Sequence, residues 1–513
     1  MPSAPQTRWI TDRRGTTTNT RSNESAALDA CAREPIQHSG AIQPHGCLLS
    51  CAIDDLLIRH VSANAEALLD IPTDELLGLP LSEVFETHVL DALAALAAGP
   101  TGLPPSFVAS ANVGLSALRC DVSAHVNQDL LHIELEPSID PALGATDLAH
   151  PMYMLLDQAD SGDLHALAAT QVRRLTGFER VMIYRFLEDG SGEMISESLA
   201  ENVPSYLGLR YPASDIPPQA RALYLRNRVR VIADTDYVPA PILPPAMPDG
   251  TPLDLSFHGL RSVSPVHLEY MRNMGMAASM SISIIVDGAL WGLIACHHRA
   301  PMRVSPSQRA AADLFGILYS QRLEARMHAG IAAHRARATA ARADLLRSVA
   351  DGGDLKQELL DHLPALQRLI ACDVVACRLP DGRIHIDAPR YAAAVADALA
   401  WLAQQPTDGR VLATDTRADW RAPDAADTTS GVLAIRGADD LVVVLLRDEW
   451  LEQVHWAGEP VKHLVSTDEG VRMAPRRSFA LWKETMRGRS QPWETQALAD
   501  AEALQLLLSM RTR

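Results

Sequence analysis

The chain has 513 residues, 47% of them hydrophobic and 21% charged, and a formal net charge of −17. That length exceeds one ordinary core and suggests about three domains, and the composition is globular rather than disordered or fibrous. So acidic a balance argues against a nucleic-acid partner, which needs clustered cations facing phosphates. No apolar run nears the roughly 20 residues of a membrane span, and the polar N-terminus is no secretory signal, so a cytoplasmic protein without a membrane partner is expected.

In chain order, residues 1–24 are polar, with Thr16–Thr18 and scattered arginines, and read as a flexible tail. Seven cysteines stand at 31, 47, 51, 120, 296, 372 and 377. The odd number, with no C-x-x-C pair, predicts neither a disulfide framework nor a zinc site, and most are expected to be buried small hydrophobes. Cys31 differs: it follows the tail and lies in no periodic apolar pattern, which makes it the best candidate for a reactive thiol. From Gly46 short apolar runs, a helix at Asn64–Leu69 and strands at Leu118–Val126 and Leu130–Glu136 indicate a small α+β domain over 25–140. Pro137–Leu148, rich in Pro, Gly and Asp, reads as a linker.

A second domain is expected over 149–325, with strands Arg180–Phe186, Arg230–Ala233, Ser279–Val286 and Leu290–His297. Asp287-Gly288 is the turn signal joining antiparallel strands, so an antiparallel sheet with helices packed on it follows. Ser305-Pro306 opens a proline-free stretch to Ala350 with cap and first-turn chemistry. It is either one helix of about 65 Å, long enough to join two domains, or two helices broken at Gly316 or Gly330. A third domain over 351–495 has strands Val374–Leu379, Gly431–Arg436 and Leu441–Leu446, then a polar insertion at 449–484. An Ala- and Leu-rich helix over 494–513 runs on without a stop signal, as if towards an output element.

Three segments carry chemistry. Tyr211–Pro218 precedes a helical pattern, Gln219–Arg228; Asp215 or Ser214 either caps that helix or holds a carboxylate beside a ligand. Ser264-Pro265 reads as the cap and first residue of a helix ending at Gly275. His267, Tyr270, Met271 and Met274 share one face of it, either a core stripe or a surface suited to a flat conjugated ligand. His297-His298 is not a metal site, because successive strand residues point to opposite faces.

Taken together, Cys31, Ile42–Gly46, Tyr211–Pro217, Leu260–His267, Trp291–His298 and Pro475–Phe479 resemble a bacteriophytochrome, in the order PAS, GAF and PHY and over nearly the whole chain after residue 25. The resemblance implies an α+β fold of three domains with antiparallel sheets flanked by helices. It also implies biliverdin as chromophore, thioether-linked between Cys31 and the ring A vinyl group. In plant and cyanobacterial phytochromes the attachment cysteine instead adjoins the histidine matching His267, where this chain has Val266 and Leu268.

By the same resemblance Arg230 and Arg261 would pair with the two propionates, since buried carboxylates need partners, with Ser279, Ser281 and Tyr224 adding hydrogen bonds. The backbone carbonyl of Asp215, with His267, would face the pyrrole nitrogens, and Ile216 and Ser264 lie in the same binding segments. His297 would meet the ring D carbonyl, and Tyr184, Tyr211 and Tyr270 would line the ring D cavity. Light would isomerise the bond between rings C and D. The Asp215 carboxylate would then exchange its partner, Arg476 or Ser478, in an insertion resembling the PHY tongue, which changes between hairpin and helix; Trp456 and Trp493 join this signal-bearing set. The family usually has two glycines after the tryptophan, whereas here Ala457 precedes Gly458.

The expected function is therefore a red/far-red photoreceptor module without catalysis of its own, acting on an output domain and assembling as a homodimer through the long and C-terminal helices. The alternative is the sensory part of a light-regulated histidine kinase. No Gly-rich nucleotide loop follows residue 495, and no dinucleotide fingerprint supports a bilin-modifying enzyme. A haem or small-molecule sensor would not need Cys31.

Overall fold

The computed structural model describes residues 34–139, 144–158, 163–350, 355–407, 410–422, 427–458, 463–467, 470–474, 476, 478–479 and 481–509. It forms two compact units, Met1–Glu324 with Trp456–Trp482, and Ala325–His455 with Lys483–Arg513.

The first sheet of the larger unit is built from β1 (Ala41–Ile42), β2 (Cys47–Ala52), β3 (Ile58–Ser62), β4 (Ser106–Val113), β5 (Leu118–Asn127) and β6 (Leu130–Pro137), with helix α1 (Thr87–Ala97) on one face. The alternation along β5 and β6 places Val122, Ala124, Ile133 and Leu135 in the core with Val89 and Leu93 of α1. Alternation of this kind normally means one wet face. Here the other face is polar and yet buried: Ser50, Ser123, His125, His132, Glu134 and Glu136 are all at most 5% exposed. The stretch read as a linker is shorter than expected, because α2 (Ala145–Gln158) begins within it.

The second sheet follows α3 (Leu164–Thr176) and comprises β7 (Arg180–Phe186), β8 (Gly192–Leu199), β9 (Arg210–Tyr211), β10 (Val229–Ile232), β12 (Ala278–Val286) and β13 (Ala289–His298), with α4 (Pro218–Arg226) and α5 (Pro265–Asn273) between strands. Its order is β10-β12-β13-β7-β8-β9, while β11 (Ala240–Leu243) crosses to the first sheet and pairs with β1 and β3. Asp287 and Gly288 both take positive φ, 50° and 74°, which makes the predicted turn between β12 and β13. One face of this sheet, with Val231, Met280, Ile282, Ile294 and Cys296, packs on α2, α3 and Phe315 and Tyr319 of the helix α6 (Pro306–Ala350). That helix is unbroken. Gly316 lies where a Cβ would fall 2.5 Å from the Ile282 side chain, so it permits close packing on the sheet and does not end the helix.

The smaller unit carries α7 (Leu355–Leu369), β14 (Val374–Arg378), β15 (Ile384–Ile386), α8 (Ala392–Ala403), β16 (Val411–Thr414), β17 (Thr429–Arg436), β18 (Val442–Asp448) and, after the insertion, α9 (Thr495–Leu508). Its antiparallel sheet, in the order β15-β14-β18-β17-β16, is buried on both faces, against α7 and α9 on one and α8 on the other. The insertion contains strands β19 (Glu452–Ala457), β20 (His463–Thr467), β21 (Gly470–Ala474) and β22 (Leu481–Met486), with β20 and β21 paired. Among the described residues no helix is long and apolar enough to cross a membrane.

Candidate functional site

The second face of the GAF-like sheet floors a cavity of about 1210 Å³, counting its open side. Register decides what faces it, because residues directly opposite across an antiparallel ladder share a face. Arg230 lies opposite Ser281, and Ser279 lies opposite both Ile232 and His297. The walls are Ser214–Pro217, the inner side of α4 with Leu223 and Tyr224, then Arg261, Val263 and Ser264, and His267 and Tyr270 of α5. Asp215, Ile216, Tyr224, Arg230, Arg261, Ser264, His267, Tyr270, Ser279 and Ser281, all expected at a site from the sequence, therefore line one space. Cys31 lies outside the described residues.

Local sequence explains these placements. Pro217 occupies the N-cap position of α4 and Pro218 its first turn, so neither Asp215 nor Ser214 stands at the cap position considered for them. Asp215 ends a short 3-10 turn, Ala213–Asp215, and its carboxylate is turned into the protein. Ser264 does precede the first residue of α5, Pro265, but makes no cap bond; its hydroxyl donates to Glu34 Oε2 at 3.1 Å. Met271 and Met274 do not line the cavity. They join Tyr184, Tyr211, Met182 and Leu268 in an adjoining apolar cluster, so only the His267 and Tyr270 end of the expected stripe meets the open space. Their rings stack 6.0 Å apart at 10°.

The electrostatics are unusual. Arg230 donates to the Gly259 carbonyl at 3.1 Å and to that of Arg261, and Arg261 donates to the Ile36 carbonyl at 2.7 Å. Among the described residues neither guanidinium forms an ion pair. Burial, reinforced by neighbouring Arg230, lowers the pKa of Arg261 to about 9, and burial lowers that of Arg230 as well. Two cations beside one cavity, held by neutral carbonyls and flanked by Ser279 and Ser281, are arranged for an anion with more than one carboxylate-like group. Burial holds His267 at about 4 and His297 at about 3, with Arg230 and Arg180 respectively adding to the effect, so both imidazoles are neutral near pH 7.

At the far end, Tyr270 donates to Asp215 Oδ2 at 3.0 Å, and the same oxygen accepts from Arg476. Both ion-pair side chains are nearly inaccessible, at 3% and 4%. Burial opposes the charge on Arg476, but Asp215 and Tyr270 raise its pKa. A second guanidinium nitrogen of Arg476 donates to the Ala457 carbonyl, and its own carbonyl accepts from Asn273 at 3.0 Å. Phe479 meets Tyr270 edge to face at 5.1 Å, and Trp456 lies beside Arg210 of β9. Ala457 is buried in the apolar cluster, and only Gly458 needs a positive φ, +87°. The departure from two glycines therefore costs no turn. Ser478 is exposed. Trp493 lies outside the insertion, in the core cluster of the smaller unit that includes Leu359, Leu363 and Leu504, its ring under Arg447.

Several contributors were missed. Glu34 and Ile36 enter through polar contacts that no periodicity reveals. Tyr237 donates or accepts at Ser262 Oγ, 2.9 Å, and accepts from the Val263 amide at 2.8 Å, which fixes the segment holding Arg261. Gln43, inside the Ile42–Gly46 motif, bridges the Val231 carbonyl and the Ala233 amide.

Three family models match the chain: the PAS fold over residues 31–138, the GAF domain over 163–323 and the phytochrome region over 338–512. A bacteriophytochrome of Xanthomonas campestris pv. campestris is 36% identical over 95% of this chain and 79% of its own. One from Pseudomonas aeruginosa is 36% identical over 93% of this chain and 66% of its own, and cyanobacterial phytochrome B of Nostoc is 36% identical over 91% and 64%. The chain thus spans slightly under two thirds of these last two relatives. Among solved structures, a bacteriophytochrome of R. palustris superposes with a TM-score of 0.79 at 34% identity, covering 94% of this chain and 98% of its own. The photosensory core module of Stigmatella aurantiaca phytochrome gives 0.75 at 36%, covering 93% and 96%. With its sheets, its cavity and the Asp215–Arg476 pair arranged within one such match along nearly its whole length, the chain belongs to the bacteriophytochromes, as a PAS-GAF-PHY photosensory module.

Proposed function

We propose that the chain senses red and far-red light through biliverdin bound in the cavity and attached through a thioether to Cys31. The observation that carries this reading is the pair Arg230 and Arg261, two guanidiniums without carboxylate partners among the described residues, beside Ser279, Ser281 and Tyr224. A bilin carries two propionates, so charge and count fit. When bound, it supplies visible absorption and a light-driven isomerisation of the double bond between its rings C and D.

The chain's own groups then have distinct tasks. Arg230 and Arg261 orient the carboxylates. Neutral His267 and the Asp215 backbone carbonyl are placed for the pyrrole nitrogens, and His297, whose Nδ1 has no hydrogen-bond partner among the described residues, for the ring D carbonyl. Tyr270 lines the cavity, and Tyr184 and Tyr211, in the apolar cluster that adjoins it, would close off the space in which that ring turns. Tyr270 touches both the cavity and Asp215, so a shift of its hydroxyl alters the shared Oδ2 and with it the hold on Arg476. That pair is the two-state element through which a local change would reach the tongue. The reading is sensory rather than catalytic and places the protein in the cytoplasm, in keeping with buried free thiols. The signal would pass to an output domain, with a light-regulated histidine kinase as the alternative whole. Exposed Met327, Ile331, Leu346 and Leu506 on α6 and α9 favour a homodimer, and a monomeric mass at high concentration would contradict it.

The test is direct. Apoprotein mixed with biliverdin and then denatured should keep pigment on the polypeptide, and Cys31→Ser should release it. Alternating red and far-red illumination should give a reversible absorbance difference. Complete release from the wild type would overturn the attachment, and an invariant spectrum would overturn the switching.

A further inference from the structure

We infer that His125, His132 and His258 form a binding site for a divalent first-row transition metal, best matched by Zn²⁺, at the polar face of the first sheet. The three come from separate segments. His125 on β5 and His132 on β6 are directly opposite in the ladder, and Ser50 on β2 and His60 on β3 continue the same row. His258 is brought over them by the loop between β11 and α5. Each offers a ring nitrogen, and these nitrogens all lie within 4.8 Å of one another.

Two further observations point to a ligand. All three imidazoles are essentially inaccessible, at 3%, 0% and 0%, yet neither ring nitrogen of His125 has a hydrogen-bond partner among the described residues, and His258 has at most a poorly aligned contact with the Leu255 backbone. A buried neutral imidazole carries one N–H donor and one acceptor, and leaving either unmet is costly; an ion shared by these rings would take up their acceptor nitrogens. His132 is bonded at both ring nitrogens, Nδ1 lying 2.8 Å from Ser50 Oγ and Nε2 3.3 Å from the Asn127 carbonyl, so it would bind a metal by giving up the longer of these two bonds. Metal-bound histidines use one nitrogen for such an outer bond and the other for the metal.

The ring packing also fits. Centroids are 5.0 Å apart for His125 and His132, and 4.5 Å for each with His258, two of the three contacts edge-on. Three imidazoles on a tetrahedral zinc at about 2.05 Å place their ring centres about 5 Å apart and their ligating nitrogens about 3.3 Å apart, so small rotations suffice. Neutral nitrogen donors without thiolate select zinc, copper or nickel over calcium or magnesium. Burial keeps all three neutral near pH 7, the form that binds metal. An ion here would tie the β5–β6 hairpin to the loop that carries Gly259, whose carbonyl holds Arg230, and then Arg261.

The experiment uses the full, tag-free chain without pigment. After chelator treatment it is titrated with Zn²⁺ against a competing indicator, and separately with Co²⁺ as an optical reporter. One Zn²⁺ per chain should be bound, with a higher melting temperature, and Co²⁺ should give the intense visible bands of a four-coordinate nitrogen site. His125→Leu and His258→Leu should each weaken zinc at least 100-fold, while His88→Ala, on the exposed surface, should not. Absence of zinc binding and of those Co²⁺ bands in the wild type would overturn the site without recourse to a variant. Unchanged affinity in both folded leucine variants would also overturn it.

Discussion

Replacing Arg476 with alanine is the sharpest perturbation of the link between cavity and tongue. Arg476 and Asp215 are 3% and 4% exposed, so the pair lies in the regime where removing one partner leaves an uncompensated buried charge, at a cost of about 3 to 5 kcal/mol. The Tyr270 hydroxyl stays on Asp215 and offsets part of this. The loss also removes the bond to the Ala457 carbonyl and the guanidinium contact with Phe479. Because these contacts hold a local segment, the cost should appear as local opening rather than global melting. Amide exchange across 454–458 should accelerate by roughly two to three orders of magnitude, at 1.4 kcal/mol per tenfold. Mass-spectrometric hydrogen exchange on apoprotein measures it. Asp215→Asn alone should behave similarly, and combining Asp215→Asn with Arg476→Gln should recover much of the protection, since a neutral pair leaves no buried charge. Unchanged exchange in Arg476→Ala, or simple additivity in the double variant, would refute the reasoning.

Arg261→Leu should raise the melting temperature of the apoprotein, because it removes a buried cation beside Arg230, while weakening initial biliverdin binding about 10- to 150-fold, the worth of one charge-assisted contact; thermal melts and an absorbance titration check both. His267 has a folded pKa near 4 against 6.5 unfolded. Between those values the unfolded chain binds the extra proton, so apoprotein stability should fall as pH drops from 6.5 towards 4, by about 3 kcal/mol when complete. His297 acts in the same direction, and His267→Gln should flatten the profile of melting temperature against pH. Gly458→Ala would set a methyl 2.1 Å from the Ser478 carbonyl at a φ of +87°. It should loosen the tongue by more than 1 kcal/mol, again read by exchange over 454–458.

Much of the architecture is written in local pattern. Strands β7, β12 and β13 follow from alternation and the Asp287-Gly288 turn, and α6 from its cap chemistry and lack of proline, because these depend on neighbours in sequence. Ten cavity residues were recognisable from motif order, but not the reason they act together: register puts Arg230 beside Ser281 and Ser279 beside His297, and register is a long-range choice. The methionines of α5 show the limit, since helical spacing places them on the His267 face yet the adjoining cluster claims them. Trp493 shows it too, an aromatic near the tongue in sequence but packed in a core.

By itself the sequence determined element types, the cavity's chemical vocabulary and the candidacy of Cys31, all set by backbone propensity and residue identity. Only the tertiary structure decided which polar groups lose water. The alternation Val122-Ser123-Ala124-His125 predicts one solvated face, but the loop bearing His258 covers it, and Arg309 meets Glu136 there. Burial of polar groups depends on what folds over them from more than 100 residues away, and it is this desolvation that leaves Arg261 short of a counter-charge and lowers the pKa of the three imidazoles.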